Sequence, residues 1–309
     1  MTINLVVAKE DRVALAITTM VFTDLTLSVA DAIIKVTISD MPLLQFIFLR
    51  CGITAPLVAL LLRLRYPQVS LCPVFPVWAI LRSSLLLVSL LLYYASLPRL
   101  DFSTAAAVYY TIPLFTTLFA AIWIKEPVGI QGWAGVGIGF VGMLLMLKPQ
   151  AGDLNIFGLL PLTSAVLYAL AMVVTRTKSR GEHPLVLALI FNLVAIGLCC
   201  AVMCLAWLSG IGEANVTGNR LLGEWIAMGW FEWALVVLLS MTMLIGSVGT
   251  AIAYQLGPPS VISTWDFSYL AFAVLWGVIV FSERLDAVST LGIALIALAG
   301  IIAIRRRST

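Results

Sequence analysis

Asp24, Ser28, Asp31 and Lys35 follow one another at spacings of four, three and four in an otherwise apolar stretch. On a helix these positions stack on one face and form a polar stripe. Each charge near a bilayer centre costs roughly 2.5 to 3.5 kcal/mol on insertion scales, so such groups turn toward a cavity or a partner. Asp31 and Lys35 are spaced to pair with each other, whereas Asp24 has no partner on its own helix. A second group is Trp265-Asp266, with Ser268 and Tyr269 close by. Tyr109 and Tyr110 precede Pro113, whose missing amide and bulky ring open a helix and free carbonyls. Ser89, Tyr93 and Tyr94 add polar groups to one apolar run, and Ser164, Tyr168 and Thr175 add them to another. Arg50 carries a guanidinium that stays charged, so it calls for a carboxylate partner or an anionic substrate group. Carboxylates suit a ligand amine, while Arg50 or Lys35 suits a ligand carboxylate. Of these, Asp24, Asp31, Lys35, Arg50, Tyr93, Tyr109, Tyr110, Tyr168, Trp265, Asp266 and Tyr269 form the candidate site for substrate binding or coupling.

The elements that must hold them are membrane helices. Of 309 residues, 62% are hydrophobic and 11% charged, a balance that a soluble surface could not carry. The apolar runs are continuous rather than alternating, which excludes a membrane β-barrel. Ten spans are expected, near 13–36, 43–62, 76–97, 103–124, 131–147, 156–175, 185–208, 231–253, 260–281 and 287–304. With the N-terminus inside, the inner loops and ends hold Lys9, Arg12, Arg63, Arg65, Lys125, Arg176, Lys178, Arg180, Arg305, Arg306 and Arg307. The outer ones hold only Arg99, Lys148, Arg220 and Arg284, so both termini are expected in the cytoplasm. The first apolar run reaches full span length without a small-residue cleavage site, and is expected to remain as the first helix.

The second half of the chain repeats the first. Glu126 falls on Glu283 and Gly135 on Gly292 at a shift of 157, which also sets Tyr109 against Asp266. Upstream the shift is 142, setting Pro42 against Pro184 and Arg50 against Asn192. Five helices per copy is an odd number, so the second copy enters the membrane from the opposite side. The expected fold is an all-α membrane protein, with 1–150 and 151–309 as two inverted five-helix repeats. Two similar gates around one central site are what alternating access requires.

Several motifs lead elsewhere. Gly137-Ile138-Gly139-Phe140-Val141-Gly142 spells the dinucleotide fingerprint, but it lies inside an apolar span without the strand that motif needs. Close helix packing is its expected role. The single histidine, His183, sits in an inner loop, which argues against a histidine relay and leaves Asp24, Asp31 or Asp266 to carry any proton. Cys51, Cys72, Cys199, Cys200 and Cys204 form no disulfide framework, and with no ligand cluster beside them neither a metal nor a cofactor is expected. Trp207, Trp225, Trp230 and Trp233 read as interfacial anchors, and Glu126 and Glu283 as links between helix ends. Asn215-Val216-Thr217 fits a glycosylation sequon in an expected outer loop, relevant only to a eukaryotic secretory pathway. No P-loop is present to support direct ATP drive.

Lys35, Pro42 and Arg50 around the first hairpin, Tyr110-x-x-Pro113-Leu114-Phe115 and Ile124-Lys125-Glu126 give the chain its likeness to a known family. The glycine-rich fifth span ending Lys148-Pro149, and Tyr269 through Phe281-Ser282-Glu283, extend it. Their order resembles the EamA-like branch of the drug/metabolite transporter superfamily over essentially the whole chain. That resemblance implies a ten-helix carrier with a central cavity, moving small organic solutes across the bacterial inner membrane. Gly257-Pro258-Pro259 and Trp265-Asp266 depart from the expected pattern and mark where substrate choice would differ.

The expectation is therefore a secondary transporter for small polar metabolites, an exporter of amino acids or related compounds. It is no enzyme, and its partners are the substrate, the lipid bilayer and protons as coupling ion, with no nucleic acid, as monomer or homodimer. The alternatives are an uptake carrier for a metabolite such as S-adenosylmethionine or riboflavin, and a non-transporting assembly protein or intramembrane enzyme. The enzyme reading lacks a nucleophile with its base, and H-E-x-x-H is absent.

Overall fold

The computed structural model describes residues 12–37, 43–96, 108–147, 156–208, 225, 227–281 and 287–305. Lys9, Pro42, Arg99, Lys148, Pro149, the Asn215 sequon, Arg220, Ser282 to Arg284, Arg306 and Arg307 lie outside them, as do the side chains of Asp31, Lys35 and Trp207. No strand occurs among the described residues. The helices are α1 (Val13–Thr37), α2 (Leu43–Arg65), α3 (Pro76–Ser96), α4 (Ile112–Trp123), α5 (Ile130–Leu147) and α6 (Leu159–Thr177). They continue with α7 (Pro184–Leu208), α8 (Trp230–Leu256), α9 (Pro259–Trp265), α10 (Ser268–Phe281) and α11 (Ala287–Arg305). Six of them, α1, α2, α3, α6, α7 and α8, are long and apolar enough to cross a bilayer, and shorter apolar helices lie within α4, α5 and α11. The chain is a multi-pass membrane protein.

Two expected spans are interrupted. The ninth, expected to run unbroken over 260–281, stops at Asp266-Phe267, and the fourth breaks at Tyr110-Thr111 just ahead of α4. The shift of 157 expected from sequence lays Tyr110 on Phe267, so the two breaks match under it. In the first copy Pro113 has no N–H to return to the Tyr109 carbonyl, and Thr111 turns its hydroxyl onto Val108 O at 2.6 Å. In the second no proline is needed. Tyr269 N and Leu270 N reach back only three residues, to Asp266 O and Phe267 O at 3.3 and 3.1 Å, which leaves the helix wound tightly and then redirected.

The helices pair in a pattern that survives exchange of each span with the one five places on, counting α9 and α10 as one span. The pairing α3 with α6 then becomes α1 with α8, α4 with α6 becomes α1 with α10, and α3 with α7 becomes α2 with α8. The pairs α2 with α7 and α5 with α11 map onto themselves. The glycine run serves this last pair. A Cβ on Gly142 would lie 2.7 Å from Gly292 O and 3.1 Å from Ile296 Cγ1, while one on Gly139 would lie 3.4 Å from Ala299 Cβ and 2.7 Å from the Phe267 ring. Gly139 and Ile296 are 157 positions apart, as are Gly142 and Ala299, so the shift expected from sequence exchanges these two contacts.

One end of the bundle is tied shut by hydrogen bonds. Gln255 Nε2 donates to Ser179 O and Glu182 O at 2.7 and 2.9 Å, and Arg176 Nη1 and Arg180 Nε donate to Gln255 O at 3.0 and 3.1 Å. Glu182 Oε1 accepts from Phe75 N at 2.7 Å, Leu256 O accepts from Arg12 N at 3.0 Å, and Ser260 Oγ donates to Glu126. These bonds gather the start of α1, the α2–α3 and α6–α7 turns, the end of α4 and the α8–α9 turn at one end, together with their basic residues.

Lys125 makes the last of those links possible. Its φ of 54° is left-handed, as at many helix C-terminal ends, and Glu126 N then donates to Ala120 O, six residues back, at 3.0 Å. That turn brings Glu126 round to Ser260. A side chain costs about 1 kcal/mol in this conformation, so Lys125→Gly is expected to raise the melting temperature in detergent by about 2 °C.

Candidate functional site

Asp24 is placed by glycine. Thr23 and Leu27 pack so closely on Gly249 and Gly246 of α8 that neither glycine has room for a Cβ, and this contact turns Asp24 and Ser28 toward α10. There the Asp24 carboxylate, 3% exposed, accepts a hydrogen bond from Ser268 Oγ at 2.7 Å and lies against the backbone N–H of Tyr269. One turn further, Ser28 Oγ accepts from Trp276 Nε1 at 3.0 Å. Because the ninth span is broken, α10 begins at Ser268, and its unpaired amides and positive dipole end meet a carboxylate. An unbroken helix would have no such end to offer.

Asp266 occupies the break itself. Tyr254 Oη donates to Asp266 Oδ2 at 2.7 Å, while Asp266 Oδ1 is buried and has no partner among the described residues. The two carboxylates lie close enough to repel each other. Tyr168 of α6 is within electrostatic reach of both and of Arg82. Tyr168 and Trp265 pack against the buried cluster that contains Tyr254, Met172 and Ile262.

The tyrosines join into a chain. Tyr93 meets Tyr94 at 5.8 Å between ring centroids and Tyr109 at 4.6 Å. Tyr109 meets Tyr168 at 6.3 Å and Tyr110 at 5.9 Å, and Tyr110 stacks on Tyr269 at 5.6 Å. The chain runs from α3 through the first helix break to α6 and to α10 at the second. Of the residues singled out from sequence, Asp24, Tyr93, Tyr109, Tyr110, Tyr168, Trp265, Asp266 and Tyr269 are thus brought together. Asp31 and Lys35 lie on α1, with their side chains outside the described residues.

Arg50 stands apart. It is held where α2, α7 and α8 meet, and it lines a small cavity with Thr54, Asn192 and Ser247. The residues of α8 that face it, Met243, Leu244 and Ser247, are not those that face α1.

Three residues complete the site that sequence reasoning had not chosen. Arg82 is 1% exposed, donates from Nε to Thr175 Oγ1 at 2.7 Å and leaves Nη1 without a partner. The rule that selected Arg50, a charge inside an apolar span, would have selected it too. Ser268 lay in view as a neighbour of Asp266, but its bond to Asp24 spans nearly the whole chain. Tyr254 gave no signal at all, since an aromatic at a helix end reads as an anchor. Ser89 and Ser164 join α3 to α6 by paired hydroxyls at 2.9 Å.

Residues 14–148 match the EamA-like transporter family. That stretch of the chain is an EamA-like domain. Its relatives are transporters. It is 23% identical over 280 residues to the pseudopaline exporter CntI of Pseudomonas aeruginosa, covering 90% of this chain and 92% of that protein. It is 27% identical over 190 residues to the riboflavin transporter of Vibrio cholerae serotype O1, covering 61% of this chain but only 57% of that protein. It is 31% identical over 97 residues to the S-adenosylmethionine uptake transporter of Rickettsia bellii, covering 31% of this chain and 33% of that protein. A solved crystal structure 20% identical to this EamA-like chain superposes with a TM-score of 0.77 over 96% of this chain and 98% of that one, which shows a shared fold.

Proposed function

We propose that this EamA-like protein is a secondary carrier that moves a small polar, amine-bearing metabolite across the inner membrane by alternating access, as an exporter of amino acids or related compounds. The observation that carries the reading is the meeting of Asp24 and Asp266 at the interrupted ninth span, beside the repeat-equivalent break at Tyr110-Thr111. Discontinuous helices at a repeat interface are where carriers bind substrates and coupling ions. The acidic pair trades a proton for the cationic group of the substrate, and the tyrosine chain forms the wall against which the substrate slides.

Ten spans as two inverted repeats, 1–150 and 151–309, fit the exchange-symmetric pairing of the helices. The basic residues gathered at the tied end make that end cytoplasmic under the positive-inside rule, with both termini on that side. On this reading the structure is closed to the cytoplasm. The pseudopaline exporter, aligned over 90% of this chain, favours export. A second reading, uptake, is favoured by the S-adenosylmethionine uptake transporter.

Proteoliposomes loaded with labelled amino acids test the proposal. A proton gradient is expected to drive export, and Asp24→Asn to lower the driven rate about 10-fold or more, the equivalent of one charge-assisted hydrogen bond. Gradient-driven flux in the opposite direction only would establish uptake. An Asp24→Asn protein with unchanged rate and pH dependence would remove Asp24 from the site.

A further inference from the structure

The proposed carrier reading leaves Arg50 unexplained. Its side chain is 7% exposed, and no carboxylate meets it among the described residues. Its nearest polar contact is a long one, from Nη2 to Cys51 Sγ at 3.5 Å, and Phe191 offers its ring face 5.9 Å from Cζ. Nε is buried and has no partner among the described residues. A buried carboxylate can take up a proton and become neutral, but a guanidinium keeps its charge. A cation held out of water therefore needs an anion beside it.

A small polar cavity lies beside Arg50. The cavity is lined by the polar residues Thr54, Asn192 and Ser247 and by the apolar Phe191, Met243 and Leu244. Thr54 Oγ1 donates to Arg50 O at 2.8 Å, and Asn192 Nδ2 donates to Ala188 O at 2.7 Å, which fixes both side chains in place. Arg50 and Asn192 are repeat equivalents, so this cavity is where α2 and α7 cross and the two copies face each other. The repeat has been broken there in favour of one positive charge.

We infer that Arg50 holds a small monovalent anion, chloride or the carboxylate of a small acid, at the crossing of α2 and α7. The anion neutralises the guanidinium and joins the two halves at a point that stays within the bundle as they rock. The site differs from the Asp24 and Asp266 cluster, and its occupation is read without transport, so either proposal can fail alone.

The experiment compares melting temperatures of the purified protein in potassium chloride, potassium acetate and potassium gluconate at equal ionic strength, gluconate being too bulky for the cavity. Chloride or acetate is expected to raise the midpoint by about 5 °C over gluconate near saturation. A rise with chloride identifies a halide site, and one with acetate alone identifies a carboxylate site. Arg50→Gln is expected to abolish the difference. Asn192→Asp places a carboxylate in the cavity, and is expected to lift the midpoint in gluconate to the value the unaltered protein has in chloride and to remove the salt dependence. Should Arg50→Gln not fold, Asn192→Asp decides alone. Equal midpoints of the unaltered protein in all three salts, or an undiminished difference in either variant, would overturn the assignment.

Discussion

Asp266→Asn is expected to reduce transport about 100-fold while leaving the melting temperature unchanged or raising it. Its carboxylate sits in the helix break with one oxygen bound by Tyr254 Oη and the other buried without a partner. Asparagine keeps an acceptor for Tyr254, so the link between α8 and the break survives. What is lost is the charge, and with it a charge-assisted bond to an amine and a place for a proton, together about 3 kcal/mol of interaction. Removing a buried charge that lies close to Asp24 relieves repulsion and desolvation, so the fold gains where the function loses. Measuring both quantities on one preparation separates the roles. If transport and melting temperature fall together, Asp266 is a structural residue and the site must be sought elsewhere.

Gly142→Val should lower the melting temperature by about 6 °C, the effect of roughly 3 kcal/mol in a chain of this size. The added Cβ would stand 2.7 Å from the carbonyl oxygen of Gly292, and backbone cannot swing aside as a side chain does. The helices α5 and α11 must then separate, and in a membrane their association rests on close contact rather than on hydrophobic drive. Gly137→Val, in the same helix, meets nothing within 4 Å and is expected to cost under about 1 kcal/mol. The difference between the two variants is the measurement. Equal midpoints would mean that α5 and α11 are not held by this crossing. Transport should fall in Gly142→Val as well, because Gly139 on the same face supports the ring of Phe267 at the helix break.

Much of the architecture was legible because a bilayer imposes it. Apolar runs of span length fixed the helices to within a few residues, as in 13–36 against Val13–Thr37 and 76–97 against Pro76–Ser96. Backbone groups in lipid have no other way to be satisfied. Polar residues in those runs marked the interior, and the tyrosines, Asp24 and Asp266 did converge there. The fingerprint glycines were readable as packing because no strand preceded them. The break in the ninth span was not legible, since it lacks the proline that announces its counterpart before α4. It follows instead from contacts made by Tyr254 and by Asp24, the latter 244 residues from its partner Ser268.

The sequence by itself determined that this chain spans a membrane and which polar groups must be turned away from lipid. Each of these depends on local composition, spacing or the transfer cost of one side chain. Only the tertiary structure decided which polar groups share a site. It put Asp24 at the start of α10, gave Asp266 to Tyr254, sent Arg50 to a separate crossing opposite its own repeat equivalent, and brought in Arg82. Those partnerships depend on which helices lie side by side and how they are rotated. That is set by small-residue contacts such as Thr23 on Gly249, whose partners are far apart along the chain.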